Sequence, residues 1–296
     1  MKLLTCMYEG QEIPAVLSLD RQSVLPLHEL GYPVRNMNQL IQSTSPEDLR
    51  IIAARARTAQ NVLPLNHVAL TAPIPHPVRD IICMGLNYLD HAAEMARALN
   101  EETQERKWPI YFGKAVDRCR GEGEPVLSHR DFISTLDYEC ELGVILGKDV
   151  YQVSREEASS CIFGYTIIND VTARELSRHR QNYFMKSLDG TCPMGPWIVT
   201  ADELPFPPRQ HIRLWVNDEL RQDGSTGDML FGIDEIISTL SQGVTLQAGT
   251  IFATGSPTGI GFGMDPPVFL KHGDVMTCEI EGIGRLTNPV MDLPAK

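Results

Sequence analysis

The feature that most narrows the possible folds is the pattern of apolar runs behind a proline-studded connector. Thr71-Ala-Pro-Ile-Pro-His-Pro77 sets prolines at alternate positions, and their fixed φ angles and missing N–H donors make the segment extended. After it, short β-rich runs recur at 81–85, 141–147, 163–170, 211–217, 250–255 and 275–281. Turn signals such as Pro205-Phe-Pro-Pro208 and Asp265-Pro-Pro267 lie between them. Helical patterns are fewer, over 91–104, 154–161, 172–181 and 233–242; two carry capping boxes, Ser154 with Glu157 and Thr172 with Glu175. Strands outnumber helices and do not alternate strictly with them, which argues against a doubly wound parallel sheet. The expectation is an α+β, mainly β chain, with a mixed, mostly antiparallel sheet system and helices packed outside.

Residues 1–71 read as a small N-terminal α/β domain of short strands and one helix, and 72–296 as the main domain. The helix starts where Ser45 caps, Pro46 takes the first helical position and Glu47 and Asp48 put acid in the first turn. The run from Leu49 then has apolar residues at helical spacing.

Composition removes two partner classes. The 296 residues carry 26 Lys+Arg against 38 Asp+Glu, a formal net charge of −12 that repels phosphate backbones and anionic lipid. Neither nucleic acid nor a membrane is therefore an expected partner. The longest uncharged stretch, 241–264, is full of Gly, Thr and Pro and unsuited to a membrane helix. Seven cysteines, an odd number without a C-x-x-C pair, argue against a disulfide framework and a thiolate zinc site. With no secretory apolar core near Met1, the expected location is cytoplasmic.

The most informative segment is Leu136-Asp-Tyr-Glu-Cys-Glu-Leu-Gly-Val-Ile-Leu-Gly147. In a strand, Glu139 and Glu141 project from one side, directly before an apolar run. Two like charges at the edge of a core repel and lose hydration, so a cation sits between them or they line a solvent-facing edge; spacing alone leaves both open. Asp170, at the end of the 163–170 run, is a third carboxylate or a simple helix cap. An all-oxygen set of this kind suits Mg²⁺ or Mn²⁺ rather than Zn²⁺ or Cu²⁺ and leaves positions for water or a chelating substrate. Cys140, between the glutamates, faces the other way and reads as core.

His91 and Glu94 share a helix face at i, i+3. They are a general-base pair with the carboxylate orienting the imidazole, or an exposed ion pair, which spacing alone favours by about two to one. Lys186 stands in a weakly charged stretch, where a surface lysine is the ordinary alternative. Thr254-Gly255-Ser256 opens a Gly-rich run whose N–H groups and hydroxyls suit a carboxylate. The run matches neither a nucleophile elbow nor a P-loop, so no nucleotide cofactor is expected.

Taken together, these motifs resemble the fumarylacetoacetate hydrolase family. Six elements stand in order over about residues 72–290: Gly85-Leu-Asn-Tyr-Leu-Asp-His-Ala-Ala-Glu94, Pro109-Ile-Tyr-Phe-Gly-Lys-Ala115, Asp137-Tyr-Glu-Cys-Glu-Leu-Gly143, Gly164-Tyr-Thr-Ile-Ile-Asn-Asp-Val-Thr-Ala-Arg174, Lys186-Ser-Leu-Asp-Gly-Thr-Cys-Pro-Met-Gly-Pro196 and Thr254-Gly-Ser-Pro-Thr-Gly-Ile-Gly261. The fifth is most similar to the bacterial acylpyruvase and oxaloacetate decarboxylase branch. Two positions depart from many relatives: Met185 stands where they have Gly, and Ser256 where they often have Thr.

The resemblance implies a mixed β-roll behind a small N-terminal domain, assembled as a homodimer. It implies that Glu139, Glu141 and Asp170 hold Mg²⁺ or Mn²⁺. It also implies that His91 with Glu94 activates water from a lid continuing through 95–106. Near such a centre, Lys186 would bind a substrate oxygen or protonate a carbanion. Arg174, Thr254, Gly255 and Ser256 would hold a small anionic 2-oxo acid, unless Arg174 only pairs with Glu175 or Asp170. The implied activity is metal-dependent C–C cleavage, as acylpyruvate hydrolase of the fumarylpyruvate or acetylpyruvate type or as oxaloacetate decarboxylase. Alternatives within the family are a 2-hydroxyhepta-2,4-diene-1,7-dioate isomerase or related decarboxylase, and a sugar-acid dehydratase. A non-catalytic binding protein on the same fold is the alternative from another class.

Overall fold

A computed structural model describes residues 1–102 and 106–292. Its spine is an 11-stranded sheet. In spatial order the strands are Leu63–Pro64, Ser23–Pro26, Gln11–Leu17, Lys2–Tyr8, Met194–Thr200, Ile162–Asn169, Cys140–Leu146, Ile251–Ala253, Ile81–Gly85 and Ile110–Lys114, with Ala69–Leu70 pairing Lys2–Tyr8 off the path. A 5-stranded sheet packs beside it, ordered Glu219–Ser225, His211–Val216, Val275–Ile280, Gly284–Met291 and Val126–Leu127. Only Ile251–Ala253 with Ile81–Gly85 and Gly284–Met291 with Val126–Leu127 pair in parallel among these strands; the rest are antiparallel. This is the mixed, mainly β architecture expected, and all six β-rich runs are strands.

The two central strands, Cys140–Leu146 and Ile162–Asn169, are buried along their whole length. That is why they read as continuous apolar runs rather than alternating ones. One face of the sheet packs on the smaller sheet, with Val144, Tyr165 and Phe252 in one core with Leu214, Met276 and Cys278. The other face packs under N-terminal helices, where Met37, Leu40, Ile41 and Ile52 meet Ile145, Phe163 and Ile251. The sheet therefore runs through the position expected as a boundary: Lys2 pairs with Val199, and the proline connector lies alongside, with Thr5 Oγ1 donating to Pro73 O at 2.8 Å.

Helices depart from expectation in four places, one of them the short helix Asn182–Lys186, capped by Gln181, which no pattern announced and which ends on Lys186. The N-terminal region has two, not one: Pro46–Ala56 with the Ser45–Asp48 capping box, and Met37–Ser43, capped by Asn36 and too short to announce itself. The helix expected over 91–104 is Leu89–Ala98, and its expected positions 103 and 104 lie outside the described residues, as do 103–105 of the expected lid. The helix expected over 172–181 is absent as such. Thr172–Ala173 is a short strand pairing Leu136–Asp137, followed by a 3₁₀ segment, Arg174–His179. The Thr172–Glu175 box fails because Thr172 Oγ1 donates to Asp170 O and Glu175 accepts the Ser134 N–H and hydroxyl. The other two hold, as Arg155–Ala158 with a 3₁₀ turn Ser159–Cys161, and Ile233–Ser241. Among the described residues no helix is long and apolar enough to cross a membrane.

Candidate active site

Strand register brings the three carboxylates together. Cys140 pairs with Asn169 across the antiparallel central strands, so Asp170, one residue on, comes beside Glu139. The chain is pinned there: the Asp170 N–H donates to Glu139 O at 2.8 Å, and Asn169 Oδ1 accepts the Glu139 N–H at 3.0 Å. Glu139 and Glu141 flank Cys140 and share a face. One carboxylate oxygen from each of Glu139, Glu141 and Asp170 falls within 4.8 Å of the others, all three buried. Burial removes the solvent-facing alternative for the two glutamates. Cys140 turns into the core, where burial holds its thiol well above the ordinary value.

Cations surround this cluster unevenly. Lys186 Nζ bridges Glu139 and Asp170 at 2.5 and 2.6 Å. Arg174 grips Glu139 at 2.6 Å and Asp137 at 2.8 Å, not Glu175 or Asp170. Lys114, wholly buried, lies 2.9 Å from Asp170 Oδ1 and donates to Val171 O and Lys186 O. Burial alone would raise the Glu139 carboxyl, but Lys186, Arg174 and more weakly His91 outweigh it and hold it well below the carboxylate range. Glu141 has no cationic partner among the described residues. Burial first, then the charges of Asp170 and Glu139, push its carboxyl well above the ordinary value. Lys186 is the converse: burial disfavours its charge, but the carboxylates win and its ammonium is held above the usual lysine range.

These features fit a divalent cation. Three buried oxygen donors converge, one of them, Glu141, has no cationic partner among the described residues, and the buried Asp170 Oδ1 makes no hydrogen bond, with Lys114 beside it out of line for one.

The helix Leu89–Ala98 brings His91 near enough to Glu139 for its charge to act on that carboxylate. His91 Nδ1 lies 3.0 Å from Glu94 Oε2, and both residues are only 5% exposed, so the pair is not the exposed ion pair that spacing favoured. Glu94 Oε1 accepts the Gly259 N–H at 2.9 Å, and a Cβ on Gly263 would overlap the Glu94 carboxylate, so the Gly-rich turn doubles as the seat of this helix.

The remaining expected contacts are engaged internally. Gly255 N–H donates to Glu141 Oε2 at 2.7 Å, Thr254 Oγ1 to Leu142 O at 3.0 Å, and Ser256 Oγ accepts from Gln222 at 2.6 Å. These residues and Arg174 thus build the walls of the centre. Sequence reasoning assigned no role to Lys114, Asp137 or Gln222. For Lys114 the available signal was a lone charge closing the apolar strand Ile110–Lys114. Asp137 accepts the Gly261 and Phe262 N–H groups besides Arg174.

Comparison with known proteins shows the family. The profile described as fumarylacetoacetate (FAA) hydrolase C-terminal matches residues 80–291. The oxaloacetate tautomerase YisK of Bacillus subtilis is 48% identical over 227 residues, 76% of this chain and 74% of that one. A fumarylacetoacetate hydrolase from Exiguobacterium antarcticum superposes with a TM-score of 0.81 at 37% identity, covering 99% of this chain and 100% of that one. A maleylpyruvate hydrolase from Sphingobium sp. SYK-6, in complex with manganese(II) and pyruvate, superposes at 0.77 with 30% identity and covers 99% and 100%. With register, cluster and profile in accord, the chain belongs to the fumarylacetoacetate hydrolase family of enzymes.

Proposed function

We propose that this protein is a divalent-metal-dependent enzyme that forms and quenches the enolate of a small 2-oxo acid, with oxaloacetate the first substrate to test. The observation that carries the reading is the buried Glu139–Glu141–Asp170 cluster, two of whose carboxylates Lys186 bridges, together with the buried, hydrogen-bonded His91–Glu94 pair. The 48% identical relative, a tautomerase of oxaloacetate by name, supports the substrate class.

Glu139, Glu141 and Asp170 would hold Mg²⁺ or Mn²⁺, which supplies a Lewis acid for the carboxylate and 2-oxo oxygens of the substrate. Glu94 holds His91 through Nδ1, leaving Nε2 to take a proton from the carbon beside the ketone and return one to oxygen or carbon. Lys186 spends two of its three donors on Glu139 and Asp170 and keeps one for the oxygen on which negative charge develops. Burial keeps water from quenching that charge.

A second reading is C–C cleavage yielding the same enolate, by decarboxylation of oxaloacetate or by hydrolysis of an acylpyruvate with His91 activating water. The Sphingobium hydrolase bound to manganese(II) and pyruvate favours it. One assay separates them: purified protein with Mn²⁺ or Mg²⁺ is given oxaloacetate, acetylpyruvate and fumarylpyruvate while enol absorbance and pyruvate are followed together. Faster enol–keto exchange without pyruvate is the expected result, and pyruvate release selects the second reading. Neither signal with any substrate sinks both. The expected homodimer is a proposal that light scattering in solution tests.

A further inference from the structure

The edge strand Glu219–Ser225 of the smaller sheet faces mostly outward, and its one fully buried residue is polar: Gln222, at 0% exposure. Register explains the inward turn. Leu214 pairs with Gln222 but Trp215 with Leu220, so Arg221 is an extra residue, a bulge that re-aims its neighbour. Gln222 Oε1 accepts the Cys140 N–H at 2.9 Å, the peptide that follows Glu139. Its Nε2 donates to Ser256 Oγ at 2.6 Å and Pro257 O at 2.7 Å. One amide therefore ties the Cys140 peptide, between Glu139 and Glu141, to the turn whose Gly255 N–H holds Glu141.

The bulge also seats that turn sterically. Gly259, at φ +106°, lies so close to the Arg221 carbonyl that no Cβ fits, and it is Gly259 that donates to Glu94. A Cβ on Gly224 would come within 2.8 Å of Pro257 Cβ. The same short strand thus backs both the carboxylate cluster and the seat of the His91–Glu94 helix.

We propose that Gln222, turned inward by the Arg221 bulge, is a positioning residue that sets the spacing of Glu139 and Glu141 and so tunes metal affinity from outside the ligand set. This rests on the reading that Glu139, Glu141 and Asp170 hold a divalent cation. A side chain that orients ligands without touching the metal changes affinity by about 10- to 100-fold when lost.

The test is Mn²⁺ binding to metal-free protein, followed by electron paramagnetic resonance, beside metal-free thermal unfolding. Gln222→Met keeps length and removes all three hydrogen bonds; its Kd is expected to rise about tenfold. Gly224→Ala, pressing on Pro257 without touching the amide, is expected to weaken binding in the same direction. A Kd raised by less than about threefold in folded Gln222→Met overturns the proposal, whatever the fall in Tm, because the residue is then structural only. If Gln222→Met does not fold, Gly224→Ala decides by the same threshold. Glu141→Gln separates the two levels: Mn²⁺ binding that survives there overturns the metal assignment itself, and the positioning role with it.

Discussion

The floor of the site and the helix above it are built on opposite principles. On the floor, Glu139, Glu141, Asp170 and Asp137 face Lys114, Lys186 and Arg174, all buried and tied together by ion pairs; Lys114 and Glu141 lie in strands, Lys186 closes the short helix Asn182–Lys186 and Arg174 opens a 3₁₀ segment. Above it, Leu89–Ala98 is a single helix joined to the floor through Glu94 and Gly259, with Leu89 and Leu99 outside and 60% and 49% exposed. Buried charge is costly unless held in place, so the floor is rigid by necessity. The helix carries the His91–Glu94 pair, proposed above to transfer protons, and few apolar anchors, which suits a part that docks and releases. Stability and metal affinity should therefore follow the floor, and turnover the helix.

The largest effect that tests this division is His91→Ala. Losing a general acid–base group lowers kcat by about 10³-fold, while Mn²⁺ affinity should not change because no ligand is touched. Equal loss of metal binding would erase the contrast. Next comes Lys114→Met, which strands Asp170 in the core with half its compensation and frees two buried carbonyls. Metal-free unfolding should show a loss of about 3 kcal/mol or more. Saturating Mn²⁺ is expected to restore part of it by mass action on the folded state.

Lys114 also marks where sequence reading stops. The strands were legible because runs such as Cys140–Leu146 are apolar on both faces, and Glu139 and Glu141 because their spacing alone puts them on one side. Lys114 reaches partners 57 and 72 residues away, Arg174 reaches Asp137 across 37, and Gln222 reaches Cys140 across 82. No local pattern encodes such pairings. Local signals even misled: Thr172-x-x-Glu175 has the form of a capping box, but Ser134 claims the glutamate and Asp170 O the hydroxyl. For His91 and Glu94 spacing supplied the pair, while its burial, which removes the exposed ion pair, goes with a contact to the distant Gly259.

A smaller effect sharpens the account of the floor. Glu141 is the carboxylate of the cluster without a cation beside it, so on the proposed metal site Glu141→Gln should abolish tight Mn²⁺ binding and yet stabilise the metal-free protein by about 1–2 kcal/mol. The pH profile gives the sign. Its folded carboxyl lies above the ordinary 4.5, so the folded state holds that proton more tightly than the unfolded chain. Metal-free wild type then loses stability as pH rises from 4.5 towards the raised value, and the variant lacks that slope. Glu139, held low, contributes below 4.5 and with the opposite sign, so the two windows do not overlap. A variant no more stable than wild type at neutral pH would show that the floor is compensated without the cation.

The smallest effect falls at the joint between floor and helix. Tyr88 caps the helix Leu89–Ala98 and is 3% exposed, yet its hydroxyl finds no hydrogen-bond partner. Burial, then the nearby Glu141 charge, holds its phenol well above the ordinary value, so it is a neutral donor next to the cluster. A buried donor left unpaired costs free energy, so its removal should not destabilise the free protein: Tyr88→Phe is expected at or slightly above the wild-type Tm. The hydroxyl would find its acceptor in a bound carboxylate or ketone oxygen, and the variant should then raise KM about fivefold, close to 1 kcal/mol, with kcat unchanged. A fall in kcat at constant KM would instead place Tyr88 with the helix and its proton transfer. An unchanged KM beside a lowered Tm would make it structural. Because the residue sits where the two regions meet, this comparison of KM with kcat locates the boundary between the part that binds and the part that reacts.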